Sequence, residues 1–391
     1  MSKLKTNTIR HVDGSNDNIT LDSSQNVTAE NNLTVDGNLT VSGTSTISGY
    51  HPTTSRSNRN ILINGDMKIA QRGTSGDVAA GGSNIYACVD RWKTQIQTGT
   101  VTLSQESTGT SDAPYQKGHR KYLRVKNKTG VDANDGQYIQ LDHYIEAQDI
   151  AACGWDYRDS NSKITLSFWV RSSIAQKFGG FLLSFDGTQR LHAFEITNNG
   201  NALTADTWTK ISKTFGGNSG ITIDDNNDMG LRVTLVPFYG ANNTTSDVSL
   251  TDWGATNTSA WVRDMTTTWA TTTNATFDFT GVQLEVGDTA TDFEHRSFGD
   301  ELARCQRYFY KEHVTDSIGP YFTQYYHSHK FVHMWYPVTM RTVPTPTVTY
   351  NTGSPTAYKL TTNHFKAYVA SAYDDSSNTY YISAAQFDAE L

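Results

Sequence analysis

The residues best suited to chemistry in this chain are aromatic rings set beside carboxylates and amides, a combination that holds sugars. Trp155, Asp156 and Tyr157 fall together in the loop-like string CGWDYRDS, next to Arg158 and Asp159. Trp253, Trp261 and Trp269 punctuate a stretch rich in Thr and Asn. A pyranose packs its C–H face on an exposed indole while neighbouring polar groups take its hydroxyls, so either group is a candidate glycan platform. The competing role for each ring is packing beneath a loop or at a subunit contact. A second set is His327, His329 and His333, which share one face of a strand with Tyr325, Phe331 and Trp335 because side chains two apart point the same way. Imidazoles so placed suit a divalent or transition metal, and the pair His327/His329, repeated from three chains around an axis, would surround one ion. The alternative is a stacked sheet face.

Two charged strings, Asp90-Arg91-Trp92 and Glu294-His295-Arg296, read as structural. Arg–carboxylate forks made by Asp90, Arg91, Glu294 and Arg296 would pin the opening strand of a domain to its closing strand. Catalysis is not expected. Glycoside hydrolysis would use a carboxylate pair such as Asp156/Asp159, but acidic residues are spread through all the loops. The chain has no G-x-S-x-G, no H-E-x-x-H and no phosphate-binding loop.

The elements that must position these groups are strands. Ile164, Leu166, Phe168 and Val170 alternate with Thr165, Ser167, Trp169 and Arg171, and Leu231, Val233 and Leu235 repeat the pattern. Ile139, Leu141 and Ile145 do so around His143. Such runs recur from about residue 61 to about 286, separated by Gly/Asn/Asp turns, and predict one large β-sandwich. Phe277 and Phe279 are out of phase with Val282, Leu284 and Val286, so one extra residue, a β-bulge, is predicted near Thr280-Gly281. A helix is predicted over Ser297–Lys311, with Ser297 and Asp300 making a capping-box-like start. Beyond it, Pro337, Pro344, Pro346 and Pro355 confine strands to short or edge positions.

Before the sandwich, residues 26–49 form a ladder of six-residue rungs: NVTAEN, NLTVDG, NLTVSG, TSTISG. The first three rungs each offer two apolar residues at i and i+2, the fourth offers Ile47 alone, and a glycine closes most rungs. So little greasy surface cannot offset the entropy of ordering the backbone unless other chains supply a partner face. An intertwined shaft, most simply a trimer, is expected. Composition agrees with an all-β fold: 391 residues, 36% hydrophobic, with Thr, Ser, Asn and Tyr abundant and a mean hydropathy of −0.53. A net charge of −7 with no basic run argues against nucleic acid. No apolar run is long enough to span a membrane, the polar N-terminus resembles no secretion signal, and the three cysteines are too scattered for a disulfide framework. Cytoplasmic synthesis is expected.

Several strings also match a known family. "NILINGDMKIAQRG" followed by "YACVDRW" resembles the opening of a module common in bacteriophage tail fibres, and "FTGVQLEVGDTATDFEHRSFGDELARCQRYFY" resembles its end. "YPVTMRTVPTPTV" is similar to a strand that follows, and "NLTVDGNLTVSGTSTISG" looks like the start of fibre and appendage proteins of marine phages. "ITLSFWVRSS" is similar to a strand of carbohydrate-binding jelly rolls. The resemblance implies a homotrimeric virion fibre that adheres to a host-surface glycan or protein. Some fibre tips of this kind use His-x-His pairs to hold metal.

The implied plan is a virion-attachment segment (1–25) that docks on the tail, an adaptor or a preceding fibre protein. It is followed by the shaft (26–56), a jelly-roll-like sandwich (57–296), a linking helix (297–311) and a C-terminal β domain (312–391) as candidate receptor-binding tip. A structural appendage without receptor binding is the alternative.

Overall fold

The computed structural model describes residues 58–81, 85–130, 136–256, 260–312, 323–326, 329–350, 356–370 and 381–391, with three short strands before residue 30. The chain divides into two compact units, Met1–His51 and Pro52–Leu391.

In the first unit, strands β1 (Thr8–Ile9), β2 (Ile19–Leu21) and β3 (Val27–Ala29) form an antiparallel meander. Its register aligns Ile9, Ile19 and Ala29 in one row and Thr8, Thr20 and Thr28 in the next. Val27–Ala29 is the first rung of the repeat. The later rungs, and with them the expected shaft, lie outside the described residues.

The second unit is built on two six-stranded antiparallel sheets. In chain order its strands are β4 (Ser75–Ala79), β5 (Lys93–Ile96), β6 (Thr100–Ser107), β7 (Lys121–Asn127), β8 (Tyr138–Glu146) and β9 (Lys163–Ser172). Then come β10 (Phe178–Ser184), β11 (Arg190–Ile196), β12 (Thr209–Gly216), β13 (Met229–Tyr239), β14 (Gly254–Ala255) and β15 (Thr276–Val286). One sheet runs β14-β11-β10-β13-β8-β5 and the other β12-β9-β15-β7-β6-β4. The chain repeatedly changes sheet between successive strands, as in a jelly roll. The alternation seen in the sequence explains the packing: Ile164, Leu166, Phe168, Val170, Leu231, Val233, Leu235, Ile139, Leu141 and Ile145 all lie in one buried core between the sheets. Phe277, Phe279, Val282 and Leu284 of β15 join it despite their change of parity. The reason is a bulge. β15 pairs with β9 as Thr280↔Trp169 and then Gln283↔Ser167, one residue longer on β15, and Gly281 takes φ +62°.

The predicted helix is shorter than expected. It spans Phe298–Gln306, and Ser297 Oγ accepts the Asp300 N–H at 3.1 Å as its N-cap. It stops there because Phe309–Glu312 (β16) is claimed by strand pairing with Ile382–Asp388 (β22). The intervening strands are β17 (Thr323–Tyr326), β18 (His329–Trp335), β19 (Thr345–Tyr350), β20 (Thr356–Leu360) and β21 (His364–Ala370). They make two small sheets, β16-β22-β19 and β17-β18-β21-β20, around a second core that includes Val332, Met334, Phe365, Ala367, Ile382 and Phe387. Pro346 lies in β19, an edge strand, as its missing N–H requires.

Buried ion pairs join the smaller sheets to the sandwich. Arg91, fully buried, pairs with Glu390, donates to Tyr144 O at 2.6 Å and lies 3.5 Å over the Tyr308 ring. Arg341 donates to Ala389 O, Glu390 O and Asn227 O at 2.8–3.0 Å. Glu146 accepts both arms of Arg307 at 2.7 Å and the Tyr308 hydroxyl at 2.5 Å.

Candidate functional site

The aromatic candidates are mostly structural. Trp155, Trp253 and Trp269 are 3%, 5% and 0% exposed and belong to the main core, so none has a free face on which a sugar could stack. The fold does bring two of the loops together: the Trp155 and Trp253 rings lie 6.3 Å apart, with Tyr157 packed 6.3 Å from Trp155. Their N–H groups are used internally, Trp155 on Ser162 O at 3.3 Å and Trp253 on Gly216 O at 2.7 Å. Asp156 is exposed, but its carboxylate accepts the Arg158 N–H at 3.2 Å and shapes the turn. Trp261 is half-buried, 5.4 Å from Phe181 in a satellite core with Val248 and Val262. That satellite roofs the outer face of the sheet containing β10 and β11. Polar segments fold over these rings, and a Thr/Asn-rich composition gives no sign of it.

The side chains of the charged strings find partners within the fold, but the two strings do not pair with each other. Glu294 accepts the Asn60 N–H at 2.8 Å and pairs with Arg296 at 3.1 Å, and Arg296 donates to Leu62 O at 3.1 Å. These two side chains therefore fasten the opening segment to the end of β15. Asp90 instead accepts from Gln71, at 3.0 Å from the backbone and 2.5 Å from the side chain, and burial lifts its carboxyl to about 6. Arg91 reaches Glu390, a partner about which sequence spacing says nothing.

The exposed aromatic face lies on β18 and β21. Of the chain's eight tryptophans, all within the described residues, Trp335 alone is exposed, at 65%. Its strand alternates cleanly, with Val332 and Met334 in the second core and His333 and Trp335 in solvent. Register places His364 opposite Trp335, Lys366 opposite His333, and Tyr368 opposite Phe331. Lys359 of β20 stands opposite Lys366. The ring centroids of His333 and Trp335 are 4.6 Å apart, of His333 and His364 4.9 Å, and of Trp335 and His364 5.1 Å. Phe331 and Tyr368 extend the row at 5.9 Å. Partial desolvation, then the charge of Lys366, lowers the pKa of both imidazoles. This is an open aromatic strip with amine donors at its side. His333 belongs to it. His329 takes part in β18, but its side chain, like all of His327, lies outside the described residues.

The same alternation in HFKAY could have drawn His364 and Lys366 into the candidate set. A cleft of about 170 Å³, lined in part by Asn58, Asp149, Cys153 and Arg304, is smaller than ordinary ligand pockets. Among the described residues, the cluster with metal-ligand spacing is Asp66, His119 and His295.

The architecture defines an all-β protein built on a jelly-roll-like sandwich. No family model and no curated protein matches the chain. Among solved structures it is similar to a family 30 carbohydrate-binding module, with 12% identity and TM-score 0.29 over 62% of this chain and 95% of that one. It is also similar to a CBM4 module, with 11% identity and TM-score 0.28 over 58% and 99%. The CBM22-1 xylan-binding domain from Paenibacillus barcinonensis has 10% identity and TM-score 0.26 over 57% and 97%.

Proposed function

We propose that the chain is a non-catalytic adhesin, a bacteriophage tail-fibre subunit that works as a homotrimer on the virion and grips a host-surface glycan through the open face of β18 and β21. The observation that carries this reading is Trp335, an indole left in solvent beside the rings of His333 and His364 on a sheet whose opposite face is core. Aromatic rings set side by side on paired strands offer a platform on which sugar rings stack. Lys366 and Lys359 add local positive charge within a chain of net charge −7, which favours acidic sugars. Three copies on one shaft would multiply a weak single-site affinity through effective concentration. The tail-fibre assignment is supported by the strings at both ends of the sandwich module and by the ladder of residues 26–49.

The test is native electrophoresis of the full chain in gels containing bacterial surface polysaccharides, with sedimentation to give the oligomeric state. Wild type should be retarded by at least one polysaccharide. Trp335→Ala should weaken that retardation by roughly 30-fold, the equivalent of about 2 kcal/mol for an interface anchor, with an unchanged melting curve. No retardation by any polysaccharide, or equal retardation of the variant, would favour a structural connector. A monomer in sedimentation would remove the trimer.

A further inference from the structure

We propose that Asp66, His119 and His295 form a zinc-type metal site that clamps the opening segment of the second unit to the end of β15. Three separate parts of the chain meet there: Asp66 from the segment before β4, His119 from the loop before β7, and His295 just after β15. One donor atom from each lies within 4.8 Å of the others. Asp66 Oδ1 is 2.6 Å from His119 Nδ1, and Asp66 Oδ2 is 3.7 Å from His295 Nδ1. A tetrahedral zinc with bonds of about 2.0–2.1 Å spaces its ligand atoms by roughly 3.3 Å. The Asp66 Oδ2–His295 separation is near that value, whereas the 2.6 Å Asp66–His119 contact is a hydrogen bond that must open and lose its proton as the ion enters.

The rings are also oriented from outside. His295 Nε2 lies 2.8 Å from Lys117 O. Donating its N–H to that carbonyl leaves the Nδ1 lone pair facing Asp66, the outer-shell arrangement of a ligating histidine. The two rings are 5.1 Å apart, and each packs 4.9 Å from Phe293. Glycines make room for both: a Cβ at Gly118 would come within 2.7 Å of His295 Nε2, and one at Gly281 within 2.6 Å of the His119 ring. Both glycines have positive φ. The β-bulge therefore shapes this pocket as well as the strand. His119 and Asp66 are buried, but the His295 side chain is 38% exposed, giving the ion a way in and a side open to a water as fourth ligand. Lys68, 3.5 Å from Asp66 Oδ2 and bonded to Arg296 O at 3.0 Å, is the cation the metal must displace. His119 must also carry its proton on Nε2 when it ligates through Nδ1.

The experiment is calorimetric titration of chelator-stripped full chain with zinc chloride, together with melting curves. Wild type should take up one zinc per chain at this site, and a hundredfold excess over Kd should shift the folding ratio about a hundredfold toward the native state. His295→Gln, at a half-exposed position that spares the fold, should remove that uptake and the thermal gain. Lys68→Met should tighten binding. His333→Gln separates this site from the β18 face. Zinc uptake unchanged in His295→Gln, or lost only in His333→Gln, overturns the proposal, as does a wild-type chain that binds no zinc.

Discussion

His143 should make the fold acid-sensitive by a calculable amount. It sits on β8 in the main core, in edge-on contact with Trp92 at 5.2 Å. Its Nε2 lies 2.8 Å from Ile63 O and 3.3 Å from Ile63 N, while Nδ1 is buried with no hydrogen-bond partner. Burial first, and then the charge of Arg91, pushes its pKa down to about 3. In the unfolded chain the same group titrates near 6.5. Between those values the unfolded state holds a proton that the folded state rejects. Stability from this group is therefore complete above pH 6.5 and is lost as pH falls toward 3, by about 1.4 kcal/mol per pH unit. From pH 7 to 4.5 the loss is about 2.5 kcal/mol.

Asp90 works in the opposite sense. Its carboxyl, raised to about 6, adds stability below the unfolded carboxylate range and withdraws it as pH rises through 6. In the window from pH 6 to 4 the two groups nearly cancel, so the wild-type curve alone would show little. His143→Gln isolates the effect while keeping an N–H for Ile63 O. Urea unfolding of both proteins, followed by tryptophan fluorescence at pH 7, 5.5 and 4.5, should show the wild-type advantage shrinking by about 2.5 kcal/mol. Parallel curves would refute the reasoning.

Other perturbations separate structural residues from binding residues. Trp155→Ala or Trp253→Ala deletes a core indole and should cost about 3–5 kcal/mol; a melting temperature within error of wild type would contradict their burial. Glu146→Gln leaves Arg307 without its fork, and because Arg307 can turn partly to water the cost should be about 2 kcal/mol by denaturant titration. Gly281→Ala forces a left-handed φ on a side chain facing His119 and should cost at least about 1–2 kcal/mol; a neutral result would show that the bulge is absent. Lys366→Gln should weaken retardation by an acidic polysaccharide while leaving a neutral one unaffected, measured in the same gels.

Much of the fold was legible because period-two alternation is a local signal. The faces of β8, β9 and β13 follow directly from it, and even the bulge at Gly281 announced itself as a change of parity between Phe279 and Val282. The helix start was equally local, fixed by Ser297 and Asp300. Its end was not, since Phe309 is drawn into a strand by residue 388, far along the chain. The site was less legible for the same reason. A tryptophan in a polar loop looks exposed whether or not the loop folds over it, so Trp155, Trp253 and Trp269 misled while Trp335, on a regular strand, was the exposed ring. Asp66, His119 and His295 carry no spacing that relates them. Only the convergence of three distant segments makes them neighbours.

The pairing of Arg91 with Glu390 spans 299 positions. While the polypeptide is being made, the guanidinium that the sandwich must enclose has no counter-charge until residue 390 has left the ribosome. Closure of the sandwich around Arg91 therefore waits for residue 390 to emerge, and loop closure over such a distance is slow. Until then a folding chain carries an uncompensated guanidinium and unpaired β edges, which are sites of aggregation.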